Sequence, residues 1–313
     1  MGLLVDDLKN HRILSNYRVK INSELKKGKP TNVWVIGCGR MGHQFANAIK
    51  KSNALVLKGV CDLNDDVLKS FGTTQKLKPE ELFNSLDELS GVINGKNDII
   101  VIATTANSHY PIMEWVANNN FKKVFLEKPL TQSLVEGQKL IDLVEKHKIQ
   151  VYVDHTRRWM RSFQGLKLLL SKNLIGKIDT VNFINGEGGV AMIGSHYFDL
   201  IRFLFEEDIK YVSGSADKTQ KENIRGAKFN DFTGCINGTM KSGLRFNVDL
   251  SNQLNKKHLL MYFLGTHGRI EVDIPNQNIW IHHDSGRTWK EKFPWAIDKQ
   301  EALIIGLLEL SKG

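Results

Sequence analysis

Cysteine is scarce in this chain of 313 residues: Cys38, Cys61 and Cys235 are the only three, and they have no metal-ligand spacing. Cys38 falls inside a glycine-rich loop and Cys61 at a strand end, so both read as small buried thiols that suit a reducing cytoplasm. No long apolar run is present, which excludes a membrane-spanning helix and predicts a soluble protein. Met1 to Pro30 lacks the basic start and apolar core of a secretory signal, and reads instead as a short helix or extended arm. The formal net charge is +9, yet Lys and Arg are scattered and no nucleic-acid motif accompanies them. Such a surface suits anionic small molecules as readily as nucleic acid, so charge alone selects no partner. There is no internal repeat and no low-complexity tract.

What is present is enough apolar residue, 41%, for about two packed domains. The organising stretch is Asn32 to Lys50, NVWVIGCGRMGHQFANAIK. A short buried strand runs into Gly37-Cys38-Gly39-Arg40-Met41-Gly42, and an amphipathic helix carrying Phe45, Ala46, Ala48 and Ile49 follows. The G-x-G-x-x-G spacing gives Gly37 the tight turn, Gly39 the bare backbone that a pyrophosphate can approach, and Gly42 the close packing of helix on sheet. The free N–H groups of the helix start then face the phosphates. A second strand, Leu55 to Cys61, ends at Asp62, twenty positions beyond Gly42, where a carboxylate bonds ribose hydroxyls. No Arg or Lys follows before Lys69, so a 2′-phosphate would meet Asp62, Asp65 and Asp66 without a cation, and NAD is expected rather than NADP. The plainer reading of Asp65 and Asp66, that they open a helix capped by Asn64, holds alongside it.

From Thr31 strands and helices alternate, which predicts a parallel doubly wound sheet over residues 31–153. After the first β-α-β unit come a helix near Pro79 to Ser90, a buried strand Asp98 to Ala103, and a loop Thr104 to His109 leading into a helix. A strand at Lys123 to Leu126 ends in Glu127-Lys128-Pro129. Ser133 and Glu136 form a capping box for a helix through Lys148, and Gln150 to Val153 is a further strand. Beyond His155 the pattern is mostly strands, with helices around Phe163 to Lys172 and Gly194 to Phe205. Lys241-Ser242-Gly243 joins two alternating runs as a hairpin. Residues 154–313 are therefore expected to form an α+β domain with a mostly antiparallel sheet, after an N-terminal extension at 1–30.

These landmarks together resemble the Gfo/Idh/MocA oxidoreductases. The resemblance is carried by VIGCGRMG at 35–42, CD at 61–62, IATTANSH at 102–109, LEKPL at 126–130, HTRRW at 155–159, GSHYFDLIRFL at 194–204 and LGTHGRIEVD at 264–273. It implies a Rossmann domain that binds NAD, a second domain whose sheet carries an oligomer interface, and a carbohydrate substrate, with neither nucleic acid nor membrane as partner. It also implies a homo-oligomer, dimer or tetramer. The extension before residue 31 is unusual for that family, and the end at Gly313 suggests an abbreviated second domain. Cofactor contacts are expected from Gly37, Gly39, Arg40, Met41, Gly42, Asp62, Thr104, Asn107, His109, Glu127 and Lys128.

Oxidising an alcohol by hydride transfer requires a base for the hydroxyl proton near the nicotinamide, beyond the C-terminal strand ends. Lys128 follows such an end, and Pro129 invites a cis bond that fixes its direction. The resemblance gives this lysine a substrate-orienting or proton-relay role; the bland reading is a surface lysine beside a turn. His196, at the start of a helix, is the other expected proton acceptor, against the alternative of a buried histidine bonded to backbone. The family places a carboxylate four residues before it, but Met192 stands there, so His196 acts alone, Asp199 orients it, or Lys128 is the base. Arg202 at i+3 is a competing partner for Asp199. One of Arg157 and Arg158 is expected to anchor the cofactor or an anionic group of substrate, as in a phosphorylated or nucleotide-linked sugar, or else the two form a solvated basic turn with Trp159 packed between domains. No metal site is expected. The leading expectation is an NAD-dependent oxidoreductase acting on a hydroxyl of a sugar, polyol or nucleotide-activated sugar. The alternatives are an NAD-retaining glycosidase or lyase that oxidises its sugar transiently, and a non-catalytic NAD-binding protein.

Overall fold

A computed structural model describes residues 30–93, 97–186, 188–217, 231–251, 258–293 and 299–312. The expected arm at 1–29 lies outside the described residues. Two compact units emerge.

The first is a six-stranded sheet in the order β3-β2-β1-β4-β5-β6. Its strands are β1 (Thr31–Ile36), β2 (Leu55–Cys61), β3 (Leu82–Phe83), β4 (Ile99–Ile102), β5 (Lys123–Leu126) and β6 (Gln150–Val153). Every pairing is parallel, as the alternation of strand and helix predicts. The helices are α1 (Arg40–Lys50), α2 (Asp65–Gln75), α3 (Leu86–Ser90), α4 (His109–Asn118) and α5 (Leu134–His147). Side chains alternate across each strand. Val33 and Val35 join Phe45, Ala46, Ile49, Phe71 and Phe125 on one face. Trp34 and Ile36 join Ile100, Ile102, Met113, Val116 and Leu140 on the other.

Two local expectations change. The single helix expected at 79–90 is divided, because Leu82 and Phe83 pair with Val60 and Cys61 and extend the sheet by one short strand. Ser85 then caps α3 through the Glu88 N–H at 3.3 Å. At α5 the Ser133 hydroxyl accepts the Glu136 N–H at 3.2 Å, but the Glu136 carboxylate reaches the Gln132 N–H, one residue before the cap. Asn64 caps α2 as expected, accepting from Asp66 and Val67 at 3.0 Å each.

The second unit begins at Met160. Helix α6 (Arg161–Ser171) precedes strand β7 (Ile178–Asn185), a single π-helical turn Val190–Gly194 and helix α7 (Ser195–Phe205). Strands β8 (Ile209–Ala216), β9 (Gly234–Met240), β10 (Arg245–Leu250), β11 (Leu259–Gly265), β12 (Gly268–Asp273), β13 (Asn278–His283) and β14 (Thr288–Lys292) complete it. The eight strands run β14-β13-β12-β11-β7-β10-β9-β8, antiparallel except for β7 with β10. One face packs Phe183, Phe263, Val248 and Ile281 beneath the helices, with Phe183 stacked on Tyr197 at 5.0 Å. On the opposite face Leu260, Tyr262, Glu271, Trp280 and His282 line an open groove of about 340 Å³.

The expected boundary at residue 154 is displaced to Trp159, and the second unit does not own the C-terminus. Helix α8 (Lys299–Lys312) returns to the first unit, where Leu303, Leu307, Leu308 and Leu310 enter the core with Val33, Phe45 and Phe125. Its last turn is tied by the Lys123 ammonium, which donates to the Ser311 carbonyl at 2.9 Å. The strip of β1, β5 and α1 that α8 covers is apolar, and the four leucines fill it. Among the described residues no helix is long and apolar enough to cross a membrane.

Candidate active site

The glycine loop is shaped by contacts that leave no room for side chains at its two ends. Gly37 has φ +99°, and a Cβ there would sit 2.9 Å from the Ala103 carbonyl carbon. A Cβ on Gly42 would come within 2.1 Å of the Gly37 oxygen. At Gly39, by contrast, nothing lies within 4 Å of an added Cβ, so the space above the loop is open. The N-terminus of α1 has no side-chain cap and no acid in its first turn, whereas α2 has a cap and two acids. An uncapped helix start with a bare approach is a ready anion site. Arg40 is exposed and Met41 half-buried at its edge.

Asp62 stands at the end of β2, half-buried. One carboxylate oxygen accepts the Cys38 N–H at 2.8 Å and the other accepts the Asn64 N–H at 3.0 Å. The acid therefore ties the glycine loop to the second strand and still has lone pairs for ribose hydroxyls. Cys38 and Cys61 are buried thiols, as expected, and burial, then the Asp62 charge, push them up to about 12.

The loop after β4 forms a short 3₁₀ turn, Ala106–Ser108, with the Thr105 hydroxyl donating to the Asn107 side-chain oxygen at 2.5 Å. Asn107 is exposed, and the Thr104 hydroxyl oxygen is buried without a hydrogen-bond partner among the described residues. His109 differs from its expected place. It is 0% exposed, with Nδ1 at 3.0 Å from the Leu130 carbonyl and Nε2 at 3.3 Å from that of Thr104. It braces two strand-end loops from behind. Burial holds its pKa below the ordinary histidine value, opposed by the backbone carbonyls.

Beyond β5, Glu127 is buried and Lys128 half-buried, and the Lys128–Pro129 peptide is cis. The Lys128 N–H donates to Glu127 Oε2 at 3.0 Å. The Glu127 carboxyl also hydrogen-bonds Asp154, at the end of β6. Asp154 was not singled out from the sequence. The signal was there: each acid stands one residue past the end of neighbouring parallel strands. Arg157 is buried and Arg158 half-buried in the 3₁₀ turn Thr156–Arg158 that follows. Trp159 belongs to this unit, stacked on Tyr152 at 5.4 Å and against α8 near Gly306.

In the second unit, Met192 lies in the π-helical turn and His196 half-buried at the second position of α7. A carboxylate does reach this turn, although from elsewhere in the chain. Asp231 accepts the N–H groups of Ala191 at 2.8 Å and Met192 at 2.9 Å. It had no local sequence pattern by which to be found. Arg202 pairs with Asp208 at 2.7 Å, which Lys241 also approaches at 3.0 Å.

The open cradle at Gly39, the uncapped start of α1 and the orphaned Thr104 hydroxyl suit an adenine dinucleotide, and Asp62 suits its ribose. Comparison with known proteins agrees. The family model described as an oxidoreductase family with an NAD-binding Rossmann fold matches residues 31–155, and the GFO/IDH/MocA C-terminal domain matches 163–271. Myo-inositol 2-dehydrogenase of Thermotoga maritima is 25% identical over 234 residues, 71% of this chain and 68% of that one. Across the first three curated relatives, the chain spans 58–68% of their length. An oxidoreductase from Agrobacterium radiobacter, solved with NAD⁺, L-tartaric acid and magnesium, superposes with a TM-score of 0.74 at 19% identity, covering 88% of this chain and 86% of that one. An inositol dehydrogenase homologue from Azotobacter vinelandii, solved with NADH and myo-inositol, gives 0.71 at 14% identity, covering 91% and 83%.

Proposed function

The chain belongs to the Gfo/Idh/MocA oxidoreductases and carries their NAD-binding fold, and from that premise we propose that it oxidises a ring hydroxyl of a sugar or cyclic polyol. The supporting observation is the position of Lys128, fixed past the carboxyl end of β5 with its backbone N–H on Glu127. Bound NAD supplies a hydride acceptor at nicotinamide C4. Gly39, Arg40 and Met41 would line the diphosphate and Asp62 the adenosine ribose. Thr104 and Asn107 would line the nicotinamide half, with His109 bracing their loop. Lys128 orients the substrate hydroxyl and takes its proton. His196 is the second candidate for that proton, and Asp199 is placed three residues on in the same helix. Arg157 and Arg158 favour a substrate with an anionic group, such as a phosphorylated or nucleotide-linked sugar. The relatives' names, with inositol foremost, support a cyclic polyhydroxylated substrate. A homo-oligomer fits the same reading, with the open face of the eight-stranded sheet taking a second copy; light scattering on the purified chain tests it.

The experiment is a panel of inositols, sugar phosphates and sugar nucleotides, with NADH formation followed by absorbance. Lys128→Ala should lower kcat by roughly a hundredfold or more while NAD still binds. Full activity in that variant would remove Lys128 as the base. Met192, standing where the family has a carboxylate, supports a second reading: an NAD-binding protein without net turnover. Single-turnover reduction of bound NAD by any member of the panel rejects it, and bond cleavage without net NADH release would instead identify a hydrolase or lyase.

A further inference from the structure

Strands β5 and β6 each end in an acid. Leu126 pairs with Val153, so Glu127 and Asp154 are the next residues along parallel strands and emerge at one level on one side. Their backbones stay in the sheet: the Glu127 N–H donates to Ile102 at 2.9 Å and the Asp154 N–H to Leu126 at 2.7 Å. Both side chains are nearly sealed from water, 6% and 1% exposed. Their carboxyl groups hydrogen-bond each other. Two carboxylates have no donor between them, so that bond requires one shared proton. Two further donors reach the pair, the Lys128 N–H on Glu127 and the Thr156 hydroxyl on Asp154 at 2.9 Å.

We propose that Glu127 and Asp154 are a proton-sharing positioning pair that sets the charge beside Lys128. The proposal rests on the reading of Lys128 as the residue that meets the substrate hydroxyl. With its proton, the pair carries one negative charge. When the proton leaves to water, a second charge appears next to the lysine and holds its amine in the ammonium form, which cannot accept a proton from an alcohol. The charged groups acting on Glu127 are Asp154, from β6, and Lys128, from its own segment. Burial first, and then repulsion by Asp154, push the Glu127 carboxyl up to about 8, against the opposing pull of Lys128. The shared proton is therefore retained at neutral pH and lost in mildly alkaline solution.

Asp154→Asn is the discriminating variant. The new amide donates to an ionised Glu127, so one hydrogen bond and one negative charge remain while the titration disappears. Glu127→Gln is its mirror and should behave alike. Two measurements on the NAD-free protein need no turnover. First, the folded state of the wild type holds a proton that the unfolded chain releases above about 4.5, so its stability relative to either variant should fall as pH rises from there to about 8. Second, acylation of Lys128 by acetic anhydride, read by mass spectrometry at pH 9, should be at least about threefold faster in both variants. Superimposable stability profiles and equal labelling would overturn the pair, as would opposite shifts in the two variants. Where turnover is measurable, the alkaline limb of kcat/KM near pH 8 should be lost in Asp154→Asn, and Asn should rescue the stability that Asp154→Ala loses. If the pair behaves as stated and no hydroxyl substrate is oxidised, the proposed activity fails while the pair stands.

Discussion

The Asp62 carboxylate holds the backbone N–H of Cys38 at 2.8 Å. An acid read from sequence as a ribose ligand thus also fixes the path of the phosphate loop. Asp62→Ala should weaken NAD binding by about ten- to a hundredfold, the range for losing one hydrogen bond to a charged group. Asp62→Asn keeps an acceptor for Cys38 and should fall between. Isothermal titration with NAD measures both.

Two glycines three residues apart should respond to alanine in different ways. Gly42→Ala drives a methyl group into the Gly37 oxygen, so it should destabilise the first unit by about 2 kcal/mol or more. Gly39→Ala meets nothing within 4 Å among the described residues. Its melting temperature should match the wild type, and its NAD affinity should drop about tenfold or more. Loss of stability in Gly39→Ala would mean that the open space is not reserved for a ligand.

His109 should make the first unit acid-sensitive. Its folded pKa is depressed by burial, so the unfolded chain binds a proton that the folded one refuses. Its contribution to stability is full above about pH 6.5 and is lost as the pH falls below it. Denaturant titrations between about pH 5 and 8 should show that decline, and His109→Gln should flatten it.

Leu307 is fully buried in the core shared with Val33 and Phe45. Leu307→Ala should cost about 2–5 kcal/mol, read by urea unfolding, and the loss should be felt in NAD binding. A chain in which α8 belonged only to the second unit would keep the NAD affinity intact.

The parallel sheet was legible because buried strands such as IIVI and VWVI alternate with helices whose caps are explicit at Asn64 and Ser133. Phosphate-loop geometry was legible because Gly37 and Gly42 have local steric reasons and Gly39 leaves a bare approach to the backbone. The sequence did not reveal where α8 packs, since an apolar helix face does not name its partner. Nor did it reveal Asp231 at the Met192 turn, which joins residues 39 apart through backbone N–H groups. Asp154 was overlooked for a different reason. Its meaning depends on strand register, which sets it beside Glu127, and not on its own neighbours in the chain.

The route of the chain through its two units bears on its biosynthesis. Residues up to Trp159 contain all six strands of the nucleotide fold, but among the described residues it is α8 that closes the apolar strip over Phe45 and Phe125. A nascent chain must therefore make an entire second domain before the first can be sealed. Until then that apolar flank stays open to chaperones, and a polypeptide cut short anywhere in between would be left with it bare for quality control to find.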